Sequence, residues 1–311
     1  MIEIYQTMKD GIRKVDQISE GCWIALTNPS ATELLEISER CHIEVDHLRA
    51  PLDEEERSRI EVEDDYTLIL VDIPTFEERH NKDRYVTIPL AIITAKDVII
   101  TICLEETPVL KSFMDGRVRD FYTYKKTRFI LQILYKNASV YLQYLRIIDR
   151  KSEDIEKKLH ISTKNSELLE LLELEKSLVY FTTSLRANEV VLEKLLRNKN
   201  IKQYQEDTEL LEDVIIENKQ AIEMANIYSG ILTSTTEAFA SIISNNLNIV
   251  MKFLATVTIV LSIPTMISSF FGMNVGGIPA GSNPHGFLIV AIVSAAITAF
   301  VAYVLAKKDL F

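Results

Sequence analysis

The sequence predicts an α+β cytoplasmic domain, built as an α/β sandwich followed by long helices, that continues into a two-helix transmembrane hairpin. Short runs rich in Val, Ile and Thr, which favour strands, fill the first 125 residues. A helical pattern then covers most of the remaining chain. Two apolar runs without a charged residue, Phe253–Phe271 and Phe287–Ala306, follow it. Each has about the 20 residues that a helix needs to cross a hydrocarbon core of about 30 Å.

Six segments follow from the changes in this hydrophobic pattern. They are an α/β domain (1–125), an antiparallel helix pair (126–202), a long helix that ends as the first span (203–271), an external loop (272–286), the second span (287–306) and a cytoplasmic basic tail (307–311).

The first segment is predicted as α/β because apolar, β-branched runs in it are bounded by turn residues. The predicted strands are Ile2–Gln6, Cys22–Leu26, Thr67–Ile73, Tyr85–Ile93 and Val98–Leu104. A capped helix is predicted to start after Asn28-Pro29-Ser30. A second short helix is predicted over Asp46–Glu56 with an interruption at Pro51, and a third is predicted to open at Thr107-Pro108.

The middle of the chain is predicted to be entirely helical. Between Thr127 and Arg197 apolar residues recur at three- and four-residue steps, which is typical of two antiparallel helices joined by a short turn. From Gln205 no proline interrupts the pattern until Pro264. This predicts one helix of about 66 residues, which spans roughly 100 Å at 1.5 Å per residue. A helix of this length requires partners, most simply copies of itself.

The basic residues beside the two apolar runs lie at the ends that are not joined by the loop. Lys252 precedes the first run, Lys307 and Lys308 follow the second, and the loop Gly272–Gly286 has no Lys or Arg. Because basic residues favour the cytoplasmic side, we expect both termini inside and the loop outside. A soluble hairpin buried in a protein core is a weak alternative, since two long uncharged runs rarely fit a globular core.

Composition excludes some classes of function. A net charge of −11 argues against a nucleic-acid partner, because phosphate binding requires clustered Lys and Arg. The three cysteines, Cys22, Cys41 and Cys103, lack zinc-finger spacing and are expected to be reduced cytoplasmic thiols. No apolar segment typical of a signal peptide opens the sequence, so we expect membrane insertion to depend on the two spans.

A stripe of polar and small residues runs along the long helix at alternating steps of three and four. Its members are Glu237, Ser241, Ser244, Asn248, Met251, Ala255, Thr258, Ser262, Thr265, Ser269 and Gly272. Parallel copies with this stripe inward would enclose a narrow polar conduit, since polar residues in a membrane helix usually face protein or water. Helix packing through small residues explains the stripe equally well.

The tripeptide Gly272-Met273-Asn274 at the outer end of the first span shifts this balance. A long helical stretch that ends in the run PTMISSFF comes before it. A second span and a short basic tail come after it. In this context the chain resembles the CorA family of divalent-cation channels, loosely over essentially its whole length. The resemblance implies a homopentamer in the cytoplasmic (inner) membrane, with a CorA-like funnel and parallel pore helices.

The resemblance also implies roles for residues of the long helix. It places the outer mouth of the pore at Gly272, Met273 and Asn274, and an apolar gate at Met251 and Leu254. The residues expected to line the pore are Asn248, Thr258, Ser262, Thr265 and Ser269. Since Mg²⁺ dehydrates reluctantly, hydroxyl groups can bond its waters instead of removing them.

The outer loop leaves the transported ion open. Many family members with magnesium activity carry an acidic residue there, whereas Val275–Gly286 has no Asp or Glu and its NVGGIP run resembles the zinc-transporting ZntB branch. Transport of Mg²⁺ with Co²⁺ or Ni²⁺ is therefore one hypothesis, and a ZntB-like Zn²⁺ transporter is another. A membrane-anchored helical scaffold or sensor without flux is a third. No catalytic motif occurs, so we expect no enzyme.

An acidic stretch precedes the first span. Eight carboxylates stand against the single Lys219 between residues 203 and 251: Glu206, Asp207, Glu209, Glu212, Asp213, Glu217, Glu223 and Glu237. Alignment with the family puts Asp213, with Glu212 beside it, at a regulatory Mg²⁺ site between subunits. Asp64 and Asp65 of a neighbouring copy are the expected partners. A solvated acidic face is the alternative.

A second group of ligand-type residues, Cys41, His42, Asp46 and His47, lies close together in sequence. The two histidines are five residues apart, which takes them off one helix face, and no distant pair of ligands completes a site. We interpret these residues as a surface cluster and not as a metal site.

Overall fold

The computed structural model describes residues 1–8, 11–79, 82–161, 165–197, 204–273 and 285–307. They form two compact units, Met1–Thr236 and Glu237–Phe311. The α+β class predicted from the sequence is confirmed, since the first unit combines one sheet with long helices. The boundaries of the six segments predicted from the sequence stay predictions.

The first unit is built on a seven-stranded mixed sheet in the order β2-β1-β3-β7-β6-β5-β4. Only β3 and β7 pair in parallel, and the other neighbours are antiparallel. The strands are β1 Ile2–Met8, β2 Gly11–Val15, β3 Trp23–Thr27, β4 Arg59–Val62, β5 Tyr66–Arg79, β6 Lys82–Ala95 and β7 Ile99–Cys103. Five of them correspond to the predicted runs, and β2 and β4 were not predicted.

Helices cover both faces of the sheet. They are α1 Ala31–Cys41, α2 Val45–Arg49, α3 Pro108–Met114, α4 Lys126–Ile161, α5 Asn165–Arg197 and α6 Gln205–Phe271. Alternation along β3 separates the two cores, since Ile24 packs with the α1 side chains while Trp23 packs with those of α3 and α4. Leu211 and Val214 of α6 belong to the core that contains Trp23.

Local signals set the ends of the short helices. Ser30 and Glu33 form a reciprocal capping box at the start of α1, as the predicted start after Ser30 requires. The predicted helix over 46–56 is shorter in the structure: α2 ends at Arg49 and one 3-10 turn, Ala50–Leu52, follows. Pro51 sits in that turn, where the missing N–H is tolerated.

Trp23 is the centre of the core beneath α3 and α4. It is fully buried, and its ring lies 5.1 Å from that of Phe129 and 6.2 Å from that of Phe121. Its indole N–H donates to the hydroxyl of Thr101 on β7 at 2.9 Å. The buried polar atom of this large side chain is therefore satisfied.

A polar network joins the sheet to α4 and α5 around Asp72 of β5. Arg59, the first residue of β4, pairs with Leu70, so Asp72 lies beyond the end of that ladder. The side-chain amide of Asn188 takes the place of the missing strand: it accepts from the N–H of Asp72 at 2.9 Å and donates to its carbonyl at 2.8 Å. Asn137 donates to the same carbonyl at 2.9 Å. These bonds satisfy backbone groups that the sheet leaves open.

The second unit consists of the end of α6 and the helix α7, Gly286–Lys307. The predicted continuity of the long helix is confirmed, because α6 runs without a break from Gln205 to Phe271. Pro264 lies inside it, and its missing N–H leaves the carbonyl of Val260 without its usual helical partner.

Candidate functional site

Within the part of the chain that the structure describes, α6 and α7 are the helices long and apolar enough to cross a membrane. Their large apolar side chains point away from the protein interior: Phe270 is 63% exposed, Phe287 88% and Phe300 68%. Apolar surface this continuous requires a lipid or helical neighbour. The two helices correspond to the spans predicted over 253–271 and 287–306.

Four of the five residues expected to line a pore lie on one face of α6. Thr258, Ser262, Thr265 and Ser269 are separated by steps of four, three and four residues, and all are exposed in the single chain. Asn248, the fifth, is also exposed and lies almost three turns earlier on the same helix. The structure therefore keeps the stripe continuous and accessible.

The hydroxyl groups of this stripe already use their protons within the helix. Thr258 donates to the carbonyl of Leu254 at 2.7 Å, Ser262 to that of Ile259 at 2.9 Å, and Thr265 to that of Leu261 at 3.1 Å. Ser269 donates to the carbonyl of Thr265 at 2.8 Å. Each oxygen consequently presents lone pairs, and only lone pairs, to its surroundings. The waters around a cation point their hydrogens outward, so the stripe offers the acceptors that a hydrated cation needs.

The expected gate residues lie on the same side of α6, nearer to its N-terminal end. Met251 is a member of the stripe, and Leu254, four residues before Thr258, lies beside the stripe on the same side of the helix. Met251 is 57% exposed and Leu254 52% exposed. The stripe thus changes from hydroxyl to apolar within one turn.

α6 ends where the predicted outer mouth begins. The N–H of Gly272 donates to the carbonyl of Ser268 at 2.9 Å. A Cβ added at Gly272 would lie 3.2 Å from that carbonyl oxygen, so close packing favours glycine here. Met273 is exposed, and Asn274 lies outside the described residues together with the loop residues up to 284. The ZntB-like loop and the role of Asn274 stay predictions.

The four proposed regulatory carboxylates are exposed and lie on separate elements. Glu212 and Asp213 lie on α6, while Asp64 and Asp65 occupy the turn between β4 and β5. The N–H of Glu63 donates to the carbonyl of Tyr66 at 2.9 Å and closes that turn. Among the described residues of one chain, the four carboxylates do not converge into a set of three ligand atoms.

Part of the acidic stretch has a structural role that sequence analysis missed. Asp207 is only 6% exposed and lies 3.6 Å from Arg128 of α4, which also pairs with Glu206 at 3.3 Å. Burial raises the pKa of the Asp207 carboxyl, while the charge of Arg128 opposes the rise. Asp207 and Glu206 therefore anchor the start of α6. A distant arginine gives no signal in sequence.

Two hydroxyl residues of the span were also missed. Thr256 is 3% exposed, two residues from Thr258 and so on a different face of α6. Ser268 donates to the carbonyl of Thr265 at 3.0 Å beside the stripe. The adjacent serines 268 and 269 were a signal that the polar face is wider at its outer end.

Comparisons with known proteins agree with this geometry. The family model described as CorA-like Mg²⁺ transporter protein matches residues 19–308. The cobalt/magnesium transport protein CorA of Methanocaldococcus jannaschii is 30% identical over 99% of this chain and 99% of its own length. The chain belongs to the CorA family. With two candidate spans, this CorA chain is a membrane protein.

Solved structures extend the likeness to the whole fold. The complete structure of the CorA magnesium transporter from M. jannaschii has a TM-score of 0.86 at 27% identity and covers 100% of this chain and 99% of its own. The full-length CmaX protein has a TM-score of 0.71 at 14% identity, over 98% and 96% of the two chains. The cytoplasmic domain of ZntB from Vibrio parahaemolyticus has a TM-score of 0.58 at 12% identity and covers 78% of this chain and 96% of its own. The last two likenesses concern the fold alone.

Proposed function

We propose that this CorA protein is a homopentameric channel that carries Mg²⁺, and with it Co²⁺ or Ni²⁺, across the cytoplasmic membrane. The observation that carries the proposal is the row of four hydroxyl groups on α6, each donating inside the helix and presenting an acceptor outward. Membership of the family supports the choice of ion. Both termini face the cytoplasm in this proposal.

The physics of a hydrated divalent ion fits such a row. Hydroxyl acceptors bond the outward-pointing hydrogens of the first water shell, so the ion keeps its waters and avoids the cost of stripping them. The C-terminal end of α6 carries the negative end of the helix dipole, which attracts the arriving cation at the outer mouth. A membrane potential adds about 2.3 kcal/mol per charge per 100 mV, or about 4.6 kcal/mol for a divalent ion.

The exposed carboxylates supply the proposed control of the gate. Divalent ions between Asp213 of one subunit, with Glu212 beside it, and Asp64 and Asp65 of the next hold the α6 helices together, and Met251 and Leu254 close the conduit. When the internal concentration falls, the carboxylates repel each other and the apolar ring widens and becomes wet. The effect is bounded by the difference in the ion's affinity for the two states.

Flux into liposomes tests the proposed channel. Reconstituted protein should admit Mg²⁺, and Co²⁺ or Ni²⁺, and Asn274→Ala should abolish this flux while the assembly keeps its size by light scattering. Ser282→Ala, in the same outer loop, is the matched control and should conduct. Normal flux in the Asn274 variant removes that residue from the mouth. Flux of Zn²⁺ without Mg²⁺ favours the ZntB-like alternative, and no flux of any ion favours a scaffold.

Limited proteolysis tests the proposed control. Millimolar Mg²⁺ should slow cleavage of the wild-type protein, because bridged subunits open less often. Asp213→Lys should resist cleavage without added Mg²⁺, since a fixed positive charge replaces the ion. Glu223→Lys, another exposed carboxylate of α6, should behave as wild type. If wild-type cleavage is the same with and without divalent ions, the acidic face is only solvated surface.

A further inference from the structure

Three ligand-type side chains of the first unit converge, and none of them belongs to the stripe on α6. One ligand atom each from His47, Glu61 and Glu63 lies within 4.8 Å of the others. His47 belongs to α2, whereas Glu61 lies on β4 and Glu63 directly follows it. Because residues two apart on a strand point to the same face, both carboxylates are directed to the face that α2 covers. Sequence analysis grouped His47 with Cys41 and His42 instead, since nothing in the sequence indicates that β4 lies beside α2.

The imidazole of His47 is held at both nitrogens. Its Nε2 lies 2.9 Å from a carboxylate oxygen of Glu61, and its Nδ1 lies 2.6 Å from the hydroxyl of Tyr66. The His47 side chain is 16% exposed, and the Tyr66 ring meets it edge-on with centroids 5.8 Å apart. A metal-binding histidine usually has its second ring nitrogen fixed in this way by an outer partner.

The protons of this arrangement can be placed so that Nε2 is free to bind an ion. The hydroxyl oxygen of Tyr66 can accept a hydrogen bond from Nδ1–H of His47, as it does from the N–H of Glu44 at 3.4 Å. With the proton on Nδ1, Nε2 presents its lone pair to the space shared with the carboxylates. The 2.9 Å contact between Nε2 and the carboxylate of Glu61 needs a proton on Nε2. Ion binding therefore moves that proton to Nδ1 by way of solvent and replaces the Nε2–Glu61 contact with the bond to the ion.

Charged residues surround the two carboxylates of the cluster. Arg59 contacts the other oxygen of Glu61 and also Glu56. The hydrogen bond from Arg59 lowers the pKa of the Glu61 carboxyl. Glu63 has solvent access and contributes a second negative charge. Glu56 and Arg59 balance one another, which leaves the net charge of the site to the ligands and the ion.

We propose that His47, Glu61 and Glu63 bind a borderline divalent ion of the Zn²⁺, Co²⁺ and Ni²⁺ class, with water in the remaining positions. One imidazole with two carboxylates suits these ions, while Mg²⁺ prefers oxygen ligands alone. The bound ion links α2 to the β4–β5 hairpin. The site shares no residue with the proposed pore and does not depend on the proposed channel function.

Histidine footprinting of the full-length protein in detergent tests the site. Diethyl pyrocarbonate acylates the neutral imidazole, and mass spectrometry measures the rate at each histidine. Micromolar Zn²⁺ should slow acylation of His47 by about tenfold or more and leave the exposed His42, five residues away, unchanged. Mg²⁺ at the same concentration should have no effect on either residue. Absence of zinc protection at His47, or equal protection by Mg²⁺, overturns the proposal.

Variants separate a metal site from a simple His–Glu ion pair. The double change Glu61→Gln with Glu63→Gln should remove the zinc protection of His47, and the exposed Glu54→Gln is the matched control. Tyr66→Phe should raise the zinc concentration for half protection by about 10- to 100-fold. Protection that persists in the double variant contradicts the proposal. Fluorescence of the only tryptophan, Trp23, checks that each variant is folded.

Discussion

At the scale of single residues, Asp72 shows how the fold keeps a charged group inside. Its backbone is satisfied by Asn188 and Asn137, but its carboxyl lies in a largely buried position between the sheet and α5. Burial raises the pKa of this carboxyl, and the nearby hydroxyl groups of Ser184 and Ser58 only partly oppose the rise. The ionised form at neutral pH is therefore less well solvated than in the unfolded chain.

Because of Asp72, the free energy of unfolding should depend on pH. The folded-state pKa of Asp72 lies above the unfolded value, so the folded chain binds the proton more tightly, and stability falls as pH rises through that interval. Asp72→Asn should raise the free energy of unfolding at about pH 7, and the gain should shrink toward about pH 4. Urea unfolding followed by Trp23 fluorescence measures it. Equal stability of the two proteins at both pH values contradicts the buried-charge interpretation.

At the scale of secondary-structure elements, α6 combines two environments in one helix. Its first turns carry Leu211 and Val214 into the core of the sheet unit, and its last turns are mostly apolar outside the hydroxyl stripe. The stripe is distinguished from the rest of the helix by chemistry and not by a break in the backbone. Its hydroxyls can therefore be tested one at a time.

Replacing one hydroxyl of the stripe should reduce flux more than replacing a similar hydroxyl elsewhere. Thr258→Val keeps the shape of the side chain and removes one acceptor from every subunit, which makes five acceptors in the proposed pentamer. We expect Mg²⁺ flux to fall by at least about fivefold, since the loss of even one hydrogen bond costs about 1 kcal/mol.

Thr298→Val in α7 is the matched control. Its hydroxyl donates to the carbonyl of Ser294 at 2.8 Å, as that of Thr258 does to Leu254 at 2.7 Å, so each substitution removes the same helical bond. Equal flux in the two variants would mean that the stripe serves helix packing and not conduction.

The elements that could be predicted from the sequence are those with a strong hydrophobic pattern. The strands β3, β6 and β7 and the long helices are buried over many residues, so their periodicity is clear. β2 and β4 are short edge strands with sequences GIRKV and RIEV, whose charged residues hide any alternation. The strand β5 extends to Arg79, beyond the predicted Ile73, because the paired strand β6 supports polar residues that have no strand signal of their own.

The candidate site shows the same division. The stripe could be found because it repeats along one helix, and its position in the structure agrees with the repeat. The Asp207–Arg128 pair and the His47–Glu61 contact join residues 79 and 14 positions apart, and neither has a periodic signal. Such contacts depend on how the sheet places its helices, which no local pattern specifies.

At the scale of the whole molecule, the distribution of charge between the two units bears on topology. The acidic residues lie mainly before the first span, and the basic residues that flank the spans are Lys252, Lys307 and Lys308. This arrangement favours the sheet unit and both termini on the cytoplasmic side.

Labelling of single cysteines in intact cells tests this orientation. In a Cys41→Ser background, in which Cys22 and Cys103 are buried, Ser282→Cys should react with a membrane-impermeant maleimide. Lys308→Cys should react only after the cells are opened. The reverse pattern would place the sheet unit outside and would contradict the proposed channel in this orientation.

Because α6 belongs to both the sheet unit and the membrane span, the order of chain synthesis affects folding. The core beneath α3 and α4 is complete only when Val214 has been added, and the first apolar run begins at Phe253, 39 residues later. At about 5–20 residues per second, roughly 2–8 s separate the two events. The sheet unit must therefore collapse within seconds, or meet the membrane insertion machinery while its strands are still open. Slowing translation just after codon 214 should raise the yield of correctly folded protein, and slowing it before that codon should not.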